Sequence, residues 1–346
     1  MIRFNSDYLE GAHPQILQKL AETNREQTAG YGEDPYCKQA AELIRTLCRK
    51  PDAKVHFLVG GTLTNTIAIT AVLRPHQGVI SAASGHINVH ETGSIEARGH
   101  KILALPSTDG KITASQIAEI VKLHREDDSH EHLVQPKMVY ISNPTEFGTI
   151  YKRHELEEIS RTCRKNGLIL FLDGARLGYG LACRENDLDL PSIASFCDMF
   201  YIGGTKVGAL FGEALVICSQ QLQEDFRYMI KQQGGMLAKG RLLGLQFLAL
   251  FEDALYFQIS AHAVVLADKL RNSMEEMGIR FAYDSPTNQL FPILKNTQIE
   301  KLGEHISFLS IEKIDNTHTC IRFCTSWATK EEDVDTLIQV LKSIKN

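Results

Sequence analysis

Leu168-Ile169-Leu170-Phe171-Leu172-Asp173-Gly174-Ala175-Arg176 is the stretch that decides the fold. Five consecutive apolar residues leave no face for water, so the run reads as a strand buried on both sides, as in a parallel sheet covered by helices. It closes on an acid and an arginine, at the end of the strand where open α/β sheets hold their ligands. Outward from this run, strand candidates alternate with helix patterns between about residues 36 and 235. The strands are Val55–Val59, Val79–Ala82, Lys101–Leu105, Lys137–Ser142, Leu168–Asp173, Met199–Gly203 and Glu213–Ser219, with helices such as Thr113–Arg125 and Glu155–Lys165 between them. The alternation predicts an α/β fold with a mainly parallel seven-stranded sheet and helices on both faces.

From about Arg241 the texture changes. Leu242–Met277 has no proline and carries apolar residues at helical spacing, so a single long helix is expected there, joining two domains. Beyond it Arg280–Tyr283, Gln289–Leu294, Ser307–Glu312 and Cys320–Cys324 read as short strands, and Glu331–Ile344 as a closing amphipathic helix. The expected organisation is an N-terminal segment over 1–15, a large domain over 16–240 and a small α+β domain over 241–346 that includes the linking helix.

The 346 residues suffice for a sizeable core, and a net charge of −5 offers no general attraction to nucleic acid or an anionic membrane. No run of 18 apolar residues occurs and the first residues have no signal-peptide core, so a cytoplasmic protein is expected. Eight cysteines without a Cys-x-x-Cys pair do not describe a disulfide framework or a zinc site; Cys48, Cys197 and Cys218 are expected to be reduced packing residues. The charge-rich His124–His132 segment reads as a solvated loop without ligand spacing, and no metal is expected.

Lys206, in Gly203-Gly204-Thr205-Lys206, stands 33 positions after Asp173 and follows a second apolar strand. An amine and a carboxylate at neighbouring strand ends suit pyridoxal 5′-phosphate: a lysine tethers the cofactor as a Schiff base, and a carboxylate keeps the pyridine nitrogen protonated. Two glycines let the Lys206 loop approach closely. Lys239, in a second glycine-containing loop, competes for the tether but follows no buried strand. Gly60-Gly61-Thr62 leaves a strand and enters an apolar helix, a geometry that presents backbone N–H groups and a hydroxyl to phosphate, or else makes a tight turn with Thr62 as a cap. No Gly-x-Gly-x-x-Gly follows that strand, which argues against a nicotinamide cofactor. His86 and His90 follow the second strand; an imidazole there could act as a base, whereas Glu91 does not complete a zinc motif. Arg322 lies among apolar residues of a strand and requires an anionic partner. Glu33 and Asp34 are candidates to cap the helix after Tyr31.

Asp173-Gly174-Ala175-Arg176, Tyr31-Gly32-Glu33-Asp34-Pro35, Gly60-Gly61-Thr62, the Lys206 loop and Arg322 occur in the order and spacing of threonine aldolases. The chain resembles that family, which has the aspartate-aminotransferase-like fold (fold type I), over nearly its whole length. The resemblance implies that His86 stacks on the cofactor ring, that Arg176 lies by its phenolic oxygen, and that Arg322 grips the substrate carboxylate with help from Ser6. It further implies that Tyr31 borders the active site, and that the site is built in a homodimer or homotetramer. The implied reaction is cleavage of a β-hydroxy amino acid to glycine and an aldehyde. The chain departs from the family in Ser142-Asn143-Pro144-Thr145-Glu146-Phe147-Gly148, where many members carry a histidine that handles the β-hydroxyl. Glu146 is the candidate base in its place, and β-elimination or transamination of an amino acid are the alternatives.

Overall fold

The computed structural model describes residues 1–344. Its centre is a seven-stranded sheet of β1 (Lys54–Leu58), β2 (Gln77–Ala82), β3 (Ile102–Leu105), β4 (Gln135–Ser142), β5 (Ile169–Asp173), β6 (Met199–Gly203) and β7 (Glu213–Ile217). The spatial order is β1-β7-β6-β5-β4-β2-β3, and β7 alone runs antiparallel to its neighbours. All seven expected strands are present, Met199–Gly203 with the expected bounds and the others with one or both ends shifted by at most two residues.

The alternation of side chains along each strand builds two cores. Leu170, Leu172, Phe200, Ile202, Val139 and Ile141 point to one face. Tyr140, Phe171, Tyr201, Met138 and Met199 point to the other, under the helix Gly61–Val72. Asp173 lies two residues beyond Phe171 and therefore on the second face, with Tyr140 paired opposite Phe171 on the adjacent strand. This periodicity brings two phenols and the helix to the one acid.

Close backbone approach at the ends of β5 and β6 requires glycine. Gly203 N–H donates to Gly174 O at 2.9 Å. A Cβ on Gly203 would stand 2.2 Å from the Ala175 carbonyl oxygen, and one on Gly174 would stand 2.0 Å from that of Tyr201. Neither obstacle is a flexible side chain. Gly203→Ala is expected to destabilise the protein by about 1–3 kcal/mol or more, the cost of overpacking a close-packed interior, read as a lower urea midpoint at unchanged slope.

A third core holds Phe4, Leu266, Leu270, Met274, Leu290, Ile321, Phe323 and the closing helix Glu331–Ile344. Its strands are Arg280–Phe281, Gln289–Leu290, Pro292–Lys295, Leu309–Lys313 and His318–Cys324, and Ile2–Arg3 pairs in parallel with Ile306–Ser307. The expected strand Gln289–Leu294 is thus interrupted at Phe291, and the helix Asn296–Gly303 joins the set.

The single helix expected over Leu242–Met277 is in fact broken. Arg241–Phe251 ends in a short 3₁₀ turn at Glu252–Ala254, and a second helix runs from Leu255 to Glu276. Asp253 and Ala254 sit at φ of 52° and 57°, in the left-handed region, so the helical ladder cannot pass through them. The first helix is buried almost all round, which explains its continuous hydrophobicity. The second spans two cores, giving Tyr256, Ile259 and Ala263 to the sheet and Leu270 and Met274 to the third core. The pair passes for a membrane span by length and hydropathy, yet it is packed into the protein interior.

Candidate active site

Asp173 is 4% exposed and accepts four hydrogen bonds at the carboxyl end of β5. Tyr201 Oη and Ala175 N donate to Oδ1 at 2.5 and 2.9 Å; Tyr140 Oη and Asn65 Nδ2 donate to Oδ2 at 2.5 and 3.1 Å. Burial and the Asp173 charge push both phenols well above their ordinary pKa, so they stay protonated donors. The acid is thereby fixed in position in a cavity of about 320 Å³ that also exposes Gly60, Gly61, Thr62, His86, Arg176 and Lys206.

The Lys206 loop turns back between β6 and β7. Glu213, the first residue of β7, holds it by accepting from Gly204 N at 3.0 Å and Thr205 Oγ1 at 2.8 Å, while Tyr179 Oη donates to Lys206 O at 2.5 Å. Burial, followed by the Arg176 charge, moves the Lys206 amine below its usual pKa, toward the neutral nucleophile. Burial also raises Glu213 to about 8, partly offset by its hydroxyl and lysine neighbours. Lys239 is exposed and lies outside this cavity.

Gly60 ends the approach to the helix Gly61–Val72 in an extended conformation, and no side chain caps that helix. Its first-turn N–H groups and the side chain of Thr62 are therefore free to receive an anion. Thr62 is not the cap, because Gly60 occupies that position. A Cβ on Gly61 would stand 3.2 Å from Tyr201 Oη, so the glycine lets the helix end sit against the Asp173 cluster.

His86 begins a short helix after β2. Its Nδ1 lies 2.7 Å from Glu91 Oε1, which also accepts from Asn65 Nδ2 at 2.8 Å; Ser94 Oγ donates to Glu91 Oε2 at 2.9 Å. Burial opposes protonation of His86, but the Glu91 hydrogen bond and the Asp173 and Glu91 charges outweigh it and raise its pKa. Asn65 thus links the carboxylate–histidine pair to Asp173. Glu146 Oε1 accepts from Ser142 Oγ at 2.7 Å and His86 N at 2.9 Å. Burial raises the Glu146 pKa, while its hydrogen bonds only partly offset that.

A second cavity of about 660 Å³ shares Tyr8, His86, Glu146, Arg176 and Lys206 with the first and is closed by Phe147, Phe291, Ile311 and Arg322. Arg322 Nη1 donates to Gln289 Oε1 and Nη2 to Asn5 O, both at 3.2 Å, and both acceptors are neutral. Arg322 Nε and the buried Ser6 Oγ have no hydrogen-bond partner among the described residues. An orphaned Nε on a guanidinium with no carboxylate partner among the described residues matches what a carboxylate ligand offers, and Ser6 Oγ is a further buried donor in the same N-terminal segment.

Tyr31 lies apart from these residues within the single chain. Tyr31 does not border the Lys206 cavity: it lies at φ 60°, 46% exposed, in a different cavity with Arg227, His56 and Leu237, and the Lys231 ammonium sits 4.6 Å from its ring centroid. The cause is local. Asp34 caps the helix Pro35–Leu47 through Cys37 N, and Tyr31 N donates to Ala238 O, so the loop is held on the outer side of β1. Arg176 does line the cavity, but Asp7 holds it, a partner absent from the sequence reading. Asn65, Tyr140, Tyr201 and Glu213 were also unforeseen. Tyr140 and Tyr201 carried a signal, because a phenol in a fully buried strand needs a hydrogen-bond partner.

This arrangement fits pyridoxal 5′-phosphate: a buried carboxylate for the ring nitrogen, an amine for the aldehyde and an uncapped helix N-terminus for the phosphate. Fold and cavity together define a pyridoxal 5′-phosphate-dependent enzyme of the aspartate-aminotransferase-like fold. Comparison with known proteins agrees. The beta-eliminating lyase family matches residues 3–297. A low specificity L-threonine aldolase from a Pseudomonas species is 30% identical over 99% of this chain and 97% of its own length. The structure of a Leishmania major threonine aldolase superposes with a TM-score of 0.97 at 47% identity, with both chains fully covered. Treponema denticola cystalysin, which contains a pyridoxal 5′-phosphate cofactor, shares the fold at a TM-score of 0.73 and 15% identity, covering 99% of this chain and 91% of its own. The chain belongs to the beta-eliminating lyase family.

Proposed function

We propose that this enzyme cleaves the Cα–Cβ bond of threonine and related β-hydroxy amino acids, yielding glycine and an aldehyde. The observation that carries this reading is Glu146, a half-buried carboxylate of raised pKa where the cofactor and substrate cavities meet. A base is needed there because the bond opens as the β-hydroxyl loses its proton.

Pyridoxal 5′-phosphate, when bound, supplies the electron sink for the charge left at Cα. Lys206 would tether it, Asp173 would hold the ring-nitrogen proton, and Gly60, Gly61 and Thr62 would take the phosphate. His86 and Arg176 would flank the ring. Arg322 and Ser6 orient the substrate α-carboxylate, and this fixes which Cα bond is aligned for cleavage. Glu146 takes the hydroxyl proton, and Lys206 returns a proton to Cα. The relatives named threonine aldolases support the aldol reading over β-elimination and transamination.

Glu146→Gln keeps the shape and the Ser142 contact but removes the base. It is expected to lower kcat by roughly 10²–10⁴-fold with little change in KM, the range that loss of a general base produces. The reaction itself is tested by incubating the holoenzyme with L-threonine. Glycine and acetaldehyde in equal amounts are expected, whereas 2-oxobutyrate with ammonia would replace aldol cleavage by β-elimination.

A homodimer is the smallest assembly proposed, and a tetramer is compatible with it. The position of Tyr31 outside its own chain's cavity supports a role for it toward a neighbouring copy. Eight unpaired cysteines support a reducing compartment, and we place the enzyme in the cytoplasm.

A further inference from the structure

The N-terminal segment reaches the site through the small-domain layer. Phe4 N donates to Ser307 O at 2.8 Å, Cys324 N donates to Phe4 O at 2.7 Å, and the Asn5 carbonyl takes its bond from Arg322. The chain then delivers Asp7, which is completely buried, and Tyr8, which lines both cavities. Asp7 binds the Arg176 guanidinium along one edge: Nε donates to Oδ2 at 2.7 Å and Nη2 to Oδ1 at 3.0 Å. Asn288 Nδ2 donates to the same Oδ2 at 2.9 Å and to Thr325 O at 2.9 Å, which ties the carboxylate to the small-domain layer.

This geometry does two things to Arg176. A fork held by a carboxylate on one edge has one orientation, with Nη1 on the opposite side. No other acceptor among the described residues takes a hydrogen bond from this guanidinium. Asp7 also cancels a charge that would otherwise add to Lys206 and Arg322 in one enclosed space. The uncompensated guanidinium left in the substrate cavity is that of Arg322.

We propose that Asp7 is the positioning residue of this active site, fixing the orientation of Arg176 toward the cofactor and acting as its counter-charge. The proposal rests on the reading above that the cavity holds pyridoxal 5′-phosphate. Among the described residues, the other ionisable groups facing the pair are Lys206, Tyr179 on the helix after β5, His90 beyond β2 and Cys324 on the small-domain strand; Asp173 and Glu213 at the sheet edge face Lys206 in turn, and Arg322 faces His90 and Cys324.

The test is a spectrophotometric pH titration of the cofactor's visible absorption band in the holoenzyme, which reports the proton held between Lys206 and the cofactor. In Asp7→Asn the unopposed Arg176 charge disfavours that proton, so the midpoint is expected to fall by roughly 1–3 units, the effect of one close charge. Arg176→Gln leaves Asp7 unopposed and moves the midpoint up. The double variant has neither charge and returns it close to wild type. Lower thermal stability in Asp7→Asn with an unmoved midpoint would overturn the proposal and leave Asp7 a structural residue. If that single variant does not fold, Arg176→Gln and the double variant decide: a lower midpoint in the double supports the proposal, and equal midpoints overturn it. A visible band formed by wild type is the separate requirement of the cofactor reading, so its absence would sink that reading instead.

Discussion

Lys206→Ala is expected to abolish the visible cofactor band and to reduce turnover by at least about 10²–10⁴-fold, the contribution of one proton-transferring group, with loss of the tether added. The fold should survive. The loop is held by Glu213 on Gly204 and Thr205 and by Tyr179 on the Lys206 carbonyl, none of which involves the lysine amine. Removing a buried amine whose pKa is depressed by burial also relieves a desolvated charge. Thermal stability without cofactor is therefore expected to stay equal to wild type or rise slightly. A calorimetric scan of both proteins without cofactor checks this, and the band and glycine release of the reconstituted proteins check the rest. Lys239→Ala, altering an exposed residue outside the cavity, should retain the band.

Asp173→Asn carries the second large effect. The carboxylate accepts from two phenols, an amide and a backbone N–H, all of them donors. An asparagine amide in that place turns one acceptor into a donor facing donors. It leaves at least one buried group unsatisfied, at about 1–3 kcal/mol of stability. It also removes the charge that would hold the proton on the cofactor ring, and with it the electron-withdrawing power the reaction depends on. A fall in kcat of roughly 10²–10³-fold is expected, as for loss of one preorganised electrostatic partner. Cofactor affinity, followed by fluorescence during dialysis, should fall as well. Unaltered kcat with reduced stability would assign Asp173 a purely structural role.

Asp173 and Lys206 were legible in the sequence because strand periodicity carries their positions. Asp173 closes one apolar run and Lys206 sits in the loop just after another, and parallel strands bring such ends to one edge. Arg322 was legible for a related reason, a charge inside an apolar strand. Asp7 was not, since its partner Arg176 lies 169 residues away and nothing local marks the contact. Tyr140 and Tyr201 were counted with the apolar residues of their strands, and only the register of β4, β5 and β6 shows that their hydroxyls meet at Asp173. Glu213 read simply as the start of a strand. The break at Asp253 and Ala254 has no glycine or proline to announce it. A helical pattern shows which face is apolar and does not show where the chain turns onto a second core.

The same limit applies to Tyr31. The family resemblance places it by the active site, while its own chain holds it on the outer side of β1 with Arg227 and Leu237.

Borohydride reduction of the reconstituted wild-type enzyme, followed by peptide mass mapping, identifies the lysine that holds the cofactor, because reduction makes that attachment permanent. One phosphopyridoxyl group is expected, on the peptide that carries Lys206. A label on Lys239, or no covalent label after full reconstitution, would contradict that assignment.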